Sequence, residues 1–398
     1  MSRLAAVPRE ALPEEQRRFY DAVRAIRRSP VSGPFIVTMN SSPDLAARIA
    51  HLGHYFHARG QADESILPLR VRALIALIGS RALDAPYEWA AWVNWALEAG
   101  VPQDTVDAIR EARTPASLTP EEQLIARFCT ELTTGNHRLS EGVFQSALER
   151  YGTQGVVELA MTLGYFAMIA LPLNAFEMEM TAEQKSLRKP FAPLEVRPAQ
   201  AAGRNSAPPF GGRPGTLRVP LLSGHDDVRP EHQHFLDRIV RTRGWISPAF
   251  QVLLHTPDVA ERAANIGAFV LYETALAPET RALVGLIAAR ALDCDYQWAV
   301  WSRAAQDAKV DAQLLAAIEL GGLAQASTEG KRALLHFCNQ LLEGNHHVDE
   351  AAYQAAVKAF GVAGLIQISV TLGYSVMMAL VVNAFEVSPP ADGSKPAL

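Results

Sequence analysis

The stretch Arg81-Ala-Leu-Asp-Ala-Pro-Tyr-Glu-Trp-Ala-Ala-Trp92 occurs a second time as Arg290-Ala-Leu-Asp-Cys-Asp-Tyr-Gln-Trp-Ala-Val-Trp301, 209 residues further on. The same offset links Arg72 to Arg281, Cys129 to Cys338, Asn136 to Asn345, Gly164 to Gly373 and Asn174 to Asn383. An offset held without a gap from residue 72 to residue 177 marks a duplicated domain. The copies diverge where chemistry is at stake, because Glu88 of the first is Gln297 in the second. A carboxyl group can give and take a proton, and an amide cannot.

Outward from that stretch, each copy reads as helices joined by capped turns. Pro13-Glu-Glu-Gln opens a helix with Phe19, Tyr20, Val23 and Ile26 on one face, and Gly33-Pro34 breaks it. Ser42-Pro43-Asp44 and Thr256-Pro257-Asp258 start the next helix in the two copies. The first of these helices carries His51, His54 and His57, spread over about 120° of its surface. The second copy has Ala268 and Leu271 in place of His54 and His57. Pro43 to Arg72 spans 29 residues and Pro257 to Arg281 spans 24, which places a five-residue insertion in 58–65. An apolar helix over 67–83 follows, then the Tyr87-Glu88-Trp89 helix ending at Gly100. Leu118-Thr-Pro-Glu-Glu-Gln has the form of a capping box. A helix through Phe144 and Leu148 precedes a long apolar helix over 156–179.

No run alternates in the manner of strands. The expected fold is all-α, with two tandem helical bundles over 1–187 and 218–388. The joining segment 188–217 is rich in proline and glycine and lacks apolar periodicity, so it reads as a linker.

Composition narrows the partners. The chain has 398 residues, 49% hydrophobic, with a net charge of −5 and no long run of one sign. That argues against nucleic acid, which requires a concentrated basic surface. The apolar runs near 155–175 and 364–383 are interrupted by Gly164, Tyr165 and Asn174 and by their counterparts, so they read as buried helices rather than membrane spans. Three cysteines make no disulfide framework, and the start of the chain has no signal-peptide core, so a cytoplasmic location is expected.

Tyr87-Glu88-Trp89, the downstream Leu97-Glu-Ala-Gly100-Val-Pro and the terminal Leu163-Gly-Tyr-Phe and Leu173-Asn-Ala together resemble the carboxymuconolactone decarboxylase and alkylhydroperoxidase-D-like family. The resemblance covers both copies and omits the linker. It implies small all-helical subunits that assemble as trimers or hexamers, so that three tandem chains would imitate a hexamer. The redox branch of the family carries Cys-x-x-Cys-x-x-x-His. Its cysteine positions fall here on Ala85 and Glu88, and on Cys294 and Gln297, so a thiol pair is missing. The decarboxylase branch carries a histidine four residues after the glutamate. That position is Trp92 here, and Trp301 in the second copy.

The candidate site follows from these residues. Glu88 and Trp92 share a helix face. A carboxyl beside an indole in a dry pocket has a raised pKa, which suits proton transfer near neutrality. The structural alternative is a buried ion pair of Glu88 with Arg70 or Arg72. His54 and His57 are candidate partners of Glu88. Arg72 is the candidate carboxylate anchor, and Tyr87, Trp92 and Tyr165 are candidate pocket walls. The indoles at 89, 92, 95, 298 and 301 concentrate around the two central helices. Cys294 is a lone candidate nucleophile. Asn136-His137 and Asn345-His346-His347 read as turn chemistry.

The first functional expectation is a cofactor-independent acid–base enzyme acting on a small carboxylated, lactone or ring-derived substrate, with the first copy active. The alternatives are a small-molecule-binding or scaffold protein, and a metal-dependent hydrolase using His54, His57 and Glu88.

Overall fold

The computed structural model describes residues 2–57, 64–113, 118–187, 216–320 and 328–389. Most of the proposed insertion in 58–65, namely 58–63, and most of the linker, 188–215, lie outside the described residues. Among the described residues there are helices and no strand.

The first half runs α1 (Glu14–Arg27), α2 (Pro34–Met39), α3 (Pro43–His57), α4 (Leu69–Ala82), α5 (Pro86–Glu98), α6 (Gln103–Arg110), α7 (Pro120–Thr133), α8 (Glu141–Ala175) and α9 (Ala182–Leu187). The second half repeats the order from Gln233–Arg243 to Glu350–Ala384. Local chemistry sets the boundaries. Gly33 at φ 56° ends the turn after α1, and Pro34, Pro43, Pro86 and Pro120 each open a helix, where a missing N–H costs nothing. Thr119 and Glu122 make both bonds of the capping box read from the sequence. The helix expected through Phe144 and Leu148 and the long apolar helix expected over 156–179 are both present along α8, separated by a kink at Gly152, whose φ of 66° is not helical, and the second ends at Ala175. Gly361 breaks the corresponding rod at φ 68°.

α1 and its counterpart end in the same way. Arg28 and Gly244 are both left-handed C-caps, at φ 52° and 77°. Arg27 and Arg243, each the last residue of its helix, are therefore equivalent. The sequence comparison missed this pairing because the offset between the halves changes ahead of residue 72.

The two halves pack against each other through equivalent elements, α8 on Glu350–Ala384 and α3 on Pro257–Ala268. The α8 rod and Glu350–Ala384 cross at their glycines. A β-carbon on Gly373 would stand 2.3 Å from the Met168 carbonyl oxygen, and one on Gly164 would stand 2.8 Å from the Met377 side chain. Reciprocal arginines staple the contact. Arg48 donates to the Asn265 carbonyl at 2.9 Å and Arg262 to the His51 carbonyl at 3.0 Å. Arg3 donates to Ala175 and Val348, and Arg218 to Ala384 and Leu139. The apolar stretches of the two rods have the length and composition of membrane spans, and those stretches are 100% buried inside the protein.

Candidate functional site

Six elements of the first half close around a cavity of about 260 Å³. The end of α1 supplies Arg27, and the following turn supplies Ser32. Phe35 comes from α2, His57 from the last turn of α3, Tyr165 and Ile169 from α8, and Gln184 from α9. The α5 helix contributes Tyr87, Glu88, Ala91, Trp92 and Trp95.

Glu88 is the third residue of α5 and 3% exposed. A glutamate at this position ordinarily reaches back to the cap N–H. Here the Ala85 N–H already donates to Ser80 at 2.8 Å, and the Glu88 side chain lines the cavity instead. Glu122, at the same position of α7, does bond back to Thr119 and also pairs with Arg70. Among the described residues Glu88 has no hydrogen bond or ion pair. The positive end of α5 favours its charged form by at most about 1–2 kcal/mol. Burial is the larger effect, and with only partial relief from Arg27 it pushes the carboxyl up to about 8.

The ion-pair alternative is not what forms. Arg70 bonds Glu122 and the Gly100 carbonyl. Arg72 is fully buried, donates to the Phe56 carbonyl at 3.1 Å and does not line the cavity. Arg281 makes the matching bond to Leu271, so these arginines pin the α3 helix and its counterpart through backbone carbonyls. The expectation that Arg72 anchors a substrate is corrected: the guanidinium at the cavity belongs to Arg27.

His57 lines the cavity, and its Nδ1 lies 2.6 Å from the Gly53 carbonyl. A carbonyl only accepts, so Nδ1 carries the proton and Nε2 is left as an acceptor. Burial, reinforced by Arg27, holds its pKa well below the usual 6.5, so the ring is neutral at physiological pH. Trp92, Trp95, Tyr165 and Phe166 surround it at ring distances of 5.2–5.9 Å. His54, one turn earlier, does not line the cavity, which corrects its assignment as a partner of Glu88. With His54 turned away, the set His54, His57 and Glu88 does not assemble, and no cluster of three metal-binding side chains occurs among the described residues.

Tyr165 presses its hydroxyl against Gly53, where a β-carbon would stand 2.2 Å from the oxygen. That hydroxyl has no hydrogen-bond partner among the described residues. Ser32 and Gln184 are the hydrogen-bonding neighbours of the Tyr87 hydroxyl. Cys294 caps the counterpart of α5 in full burial, which pushes its thiol up to about 12 and makes a poor nucleophile. His137 and His346 close turns by bonding the Leu132 and Leu341 carbonyls, as read from the sequence.

The second half handles its amide differently. Trp301 donates to Gln297 at 2.8 Å, and its ring lies where a β-carbon on Gly285 would come within 2.1 Å. Ala76 occupies the equivalent place in the first half, so Trp92 cannot take that pose. It packs on Trp95 and Phe166 instead, both at 5.0 Å. A second acid-to-amide exchange, Glu158 to Gln367, shows that exchange alone does not mark a site. Glu158 is fully buried but bonded by Tyr55, Ser65, Ile66 and Gln154. Glu88 differs from it in having none of this.

Residues 43–131, which run from α3 to α7, match the model of the carboxymuconolactone decarboxylase family. The match lies wholly within the first half of the chain. Within the family segment lie His57, Tyr87, Glu88, Trp92 and Trp95, whereas Arg27 and Tyr165 come from outside it. No curated protein matches the chain. Among solved structures, the debrominase Bmp8 in its apo form aligns at 17% identity over 44% of this chain and 93% of its own, with a TM-score of 0.37. A cysteine-to-alanine variant of Bmp8 in complex with 2,3,4-tribromopyrrole aligns at 14% identity over 44% and 95%, also at 0.37.

Proposed function

We propose that the first half is a cofactor-independent acid–base catalyst for a small carboxylated, lactone or ring-derived substrate. Decarboxylation, isomerisation and ring opening are the reactions open to such a site. One observation carries the reading: a buried carboxyl with no bonding partner among the described residues, poised near 8 beside a cation in an aromatic-walled cavity. At neutral pH Glu88 is largely protonated and donates, and the carboxylate it becomes takes the proton back. Arg27 anchors the substrate's carboxylate. The unpartnered Tyr165 hydroxyl and the Tyr87 hydroxyl orient the polar end, while Trp92 and Trp95 hold the ring. His57, neutral and bound through Nδ1, offers Nε2 as an acceptor and not as an acid.

The substrate is a free small molecule, with neither nucleic acid nor membrane as partner, and the protein works in the cytoplasm. Three chains, each an internal dimer, assemble as a pseudo-hexamer. The competing reading, a small-molecule-binding protein without turnover, is favoured by Trp92 standing where the family's decarboxylase branch has its histidine. Turnover of a panel of carboxylated lactones by wild type and Glu88→Gln separates the two. Turnover lost with the fold intact supports catalysis, and turnover unchanged removes Glu88 from the mechanism.

A further inference from the structure

Among the described side chains that line the cavity, His57 is the polar one with only an acceptor to offer. The hydroxyls of Ser32, Tyr87 and Tyr165, the two indoles, Arg27 and Gln184 all carry donors. Glu88, largely protonated at neutral pH, carries one too. His57 gives its own proton to the Gly53 carbonyl, one turn back along α3 and 2.6 Å away. That bond fixes the tautomer and leaves the Nε2 lone pair to the cavity the ring lines, with no hydrogen bond to it among the described residues. Burial and the nearby Arg27 keep the ring neutral, so the lone pair stays available. The fold itself does not call for a nitrogen here. Leu271, buried and apolar, stands at the equivalent place in the second half.

An acceptor that loses its water to an incoming ligand must find a donor on that ligand, or it is left buried and unpaired. A ring that bears only a carboxylate serves the donors of the wall and strands Nε2 against an apolar edge. A ring that also bears a hydroxyl serves both. The volume of about 260 Å³ lies just below the usual range of small-molecule pockets and has room for one ring, and the aromatic walls favour a flat one. We infer that the cavity takes a single flat ring bearing both a carboxylate and a phenolic or enolic hydroxyl, with the carboxylate on Arg27 and the hydroxyl donating to His57 Nε2. His57 is then a specificity residue, since it rejects rings of the same size that have no proton to give. The carboxylate half of this assignment rests on the role proposed above for Arg27. The hydroxyl half does not, and neither half depends on turnover by Glu88.

Titration calorimetry of the full chain at pH 6 tests it with matched ligands. 3- and 4-Hydroxybenzoate are compared with 3- and 4-fluorobenzoate, which are similar in size and have no proton to donate. In wild type at least one hydroxylated isomer is expected to bind about tenfold tighter than its fluorinated partner. His57→Phe keeps a ring and removes the acceptor, and is expected to abolish that preference while leaving fluorobenzoate affinity nearly unchanged. Should His57→Phe fail to fold, His57→Leu introduces the residue that the second half already accommodates at this place. Phenol and fluorobenzene repeat the comparison without a carboxylate. If Arg27 is not the anchor, the benzoates bind no better than these neutral rings, yet the preference for the hydroxyl survives. Glu88→Gln is expected to keep the preference, so its loss of turnover and a loss of hydroxyl selection are separate outcomes. Equal affinity for hydroxylated and fluorinated partners in wild type, a preference that outlasts removal of the imidazole, or no binding of any of these rings into the millimolar range overturns the inference.

Discussion

Glu88 and Glu122 hold the same position on two helices and meet different fates. The outcome turns on whether the cap N–H is free, which no window around either residue reveals. Sign and size follow from the environment. The folded carboxyl stands near 8 against an ordinary 4.5. A raised carboxyl pKa means that the neutral form is the stable one in the fold. Stability is therefore fully present below about pH 4.5 and is lost as pH rises through 8, by a few kcal/mol at most. Thermal melts of wild type between pH 5 and 9 should show this decline, and Glu88→Gln should remove that part of it. A melting profile with the same slope in both proteins would refute the assignment. Glu88→Gln is also expected to reduce kcat by about 10²–10⁴-fold, with the wild-type rate showing a limb near pH 8 that reports this carboxyl. Arg27→Met should act mainly on KM for a carboxylated substrate, and little on KM for its uncharged ester. Arg72→Met, by contrast, should impair folding and not recognition, because Arg72 serves the Phe56 carbonyl.

At the scale of elements, the two central helices, Pro86–Glu98 and Asp295–Asp307, have nearly the same pattern and different surroundings. The divergence is set on the preceding helix, where Gly285 admits the Trp301 indole and Ala76 excludes Trp92 from the same pose. Gly285→Ala should therefore displace Trp301 and cost about 1–3 kcal/mol, the usual range for overpacking. Loss of the Trp301 contribution to tryptophan fluorescence, together with a lower melting temperature, checks it, and an unchanged spectrum would contradict the packing described. Ala76→Gly tests the converse, since it opens for Trp92 the pose that would bring its Nε1 to Glu88.

For the whole molecule, the contact between halves is built on glycine. Gly373 brings its backbone against the Met168 carbonyl, and backbone cannot swing away as a side chain can. Gly373→Ala should separate the two rods locally and lower the melting temperature by several degrees, at about 2–4 °C per kcal/mol for units of this size. Gly152→Ala bears on a positive φ and no neighbouring atom, so its cost is confined to the local backbone. If the two substitutions proved equally mild, the close crossing of the rods would be wrong.

The sequence by itself determined the all-α class, the doubling, the helix starts at proline and capping residues, and the position of Glu88, because these depend on local chemistry and on a repeat that can be counted. It also brought Tyr87, Trp92, Tyr165 and His57 forward, and the fold places all four around one cavity. Only the tertiary structure decided between Arg27 and Arg72, and between His57 and His54. Arg72 sits on the apolar helix α4 just before the motif, whereas Arg27 ends the amphipathic helix α1 far ahead of it, and which of them meets the cavity depends on how α1 and α4 pack against α5, a relation between segments distant in sequence. The same holds for the two glutamates exchanged for glutamine. Identical substitutions at 88 and 158 become a poised acid and a bonded strut because burial is shared, and hydrogen-bond partners are not.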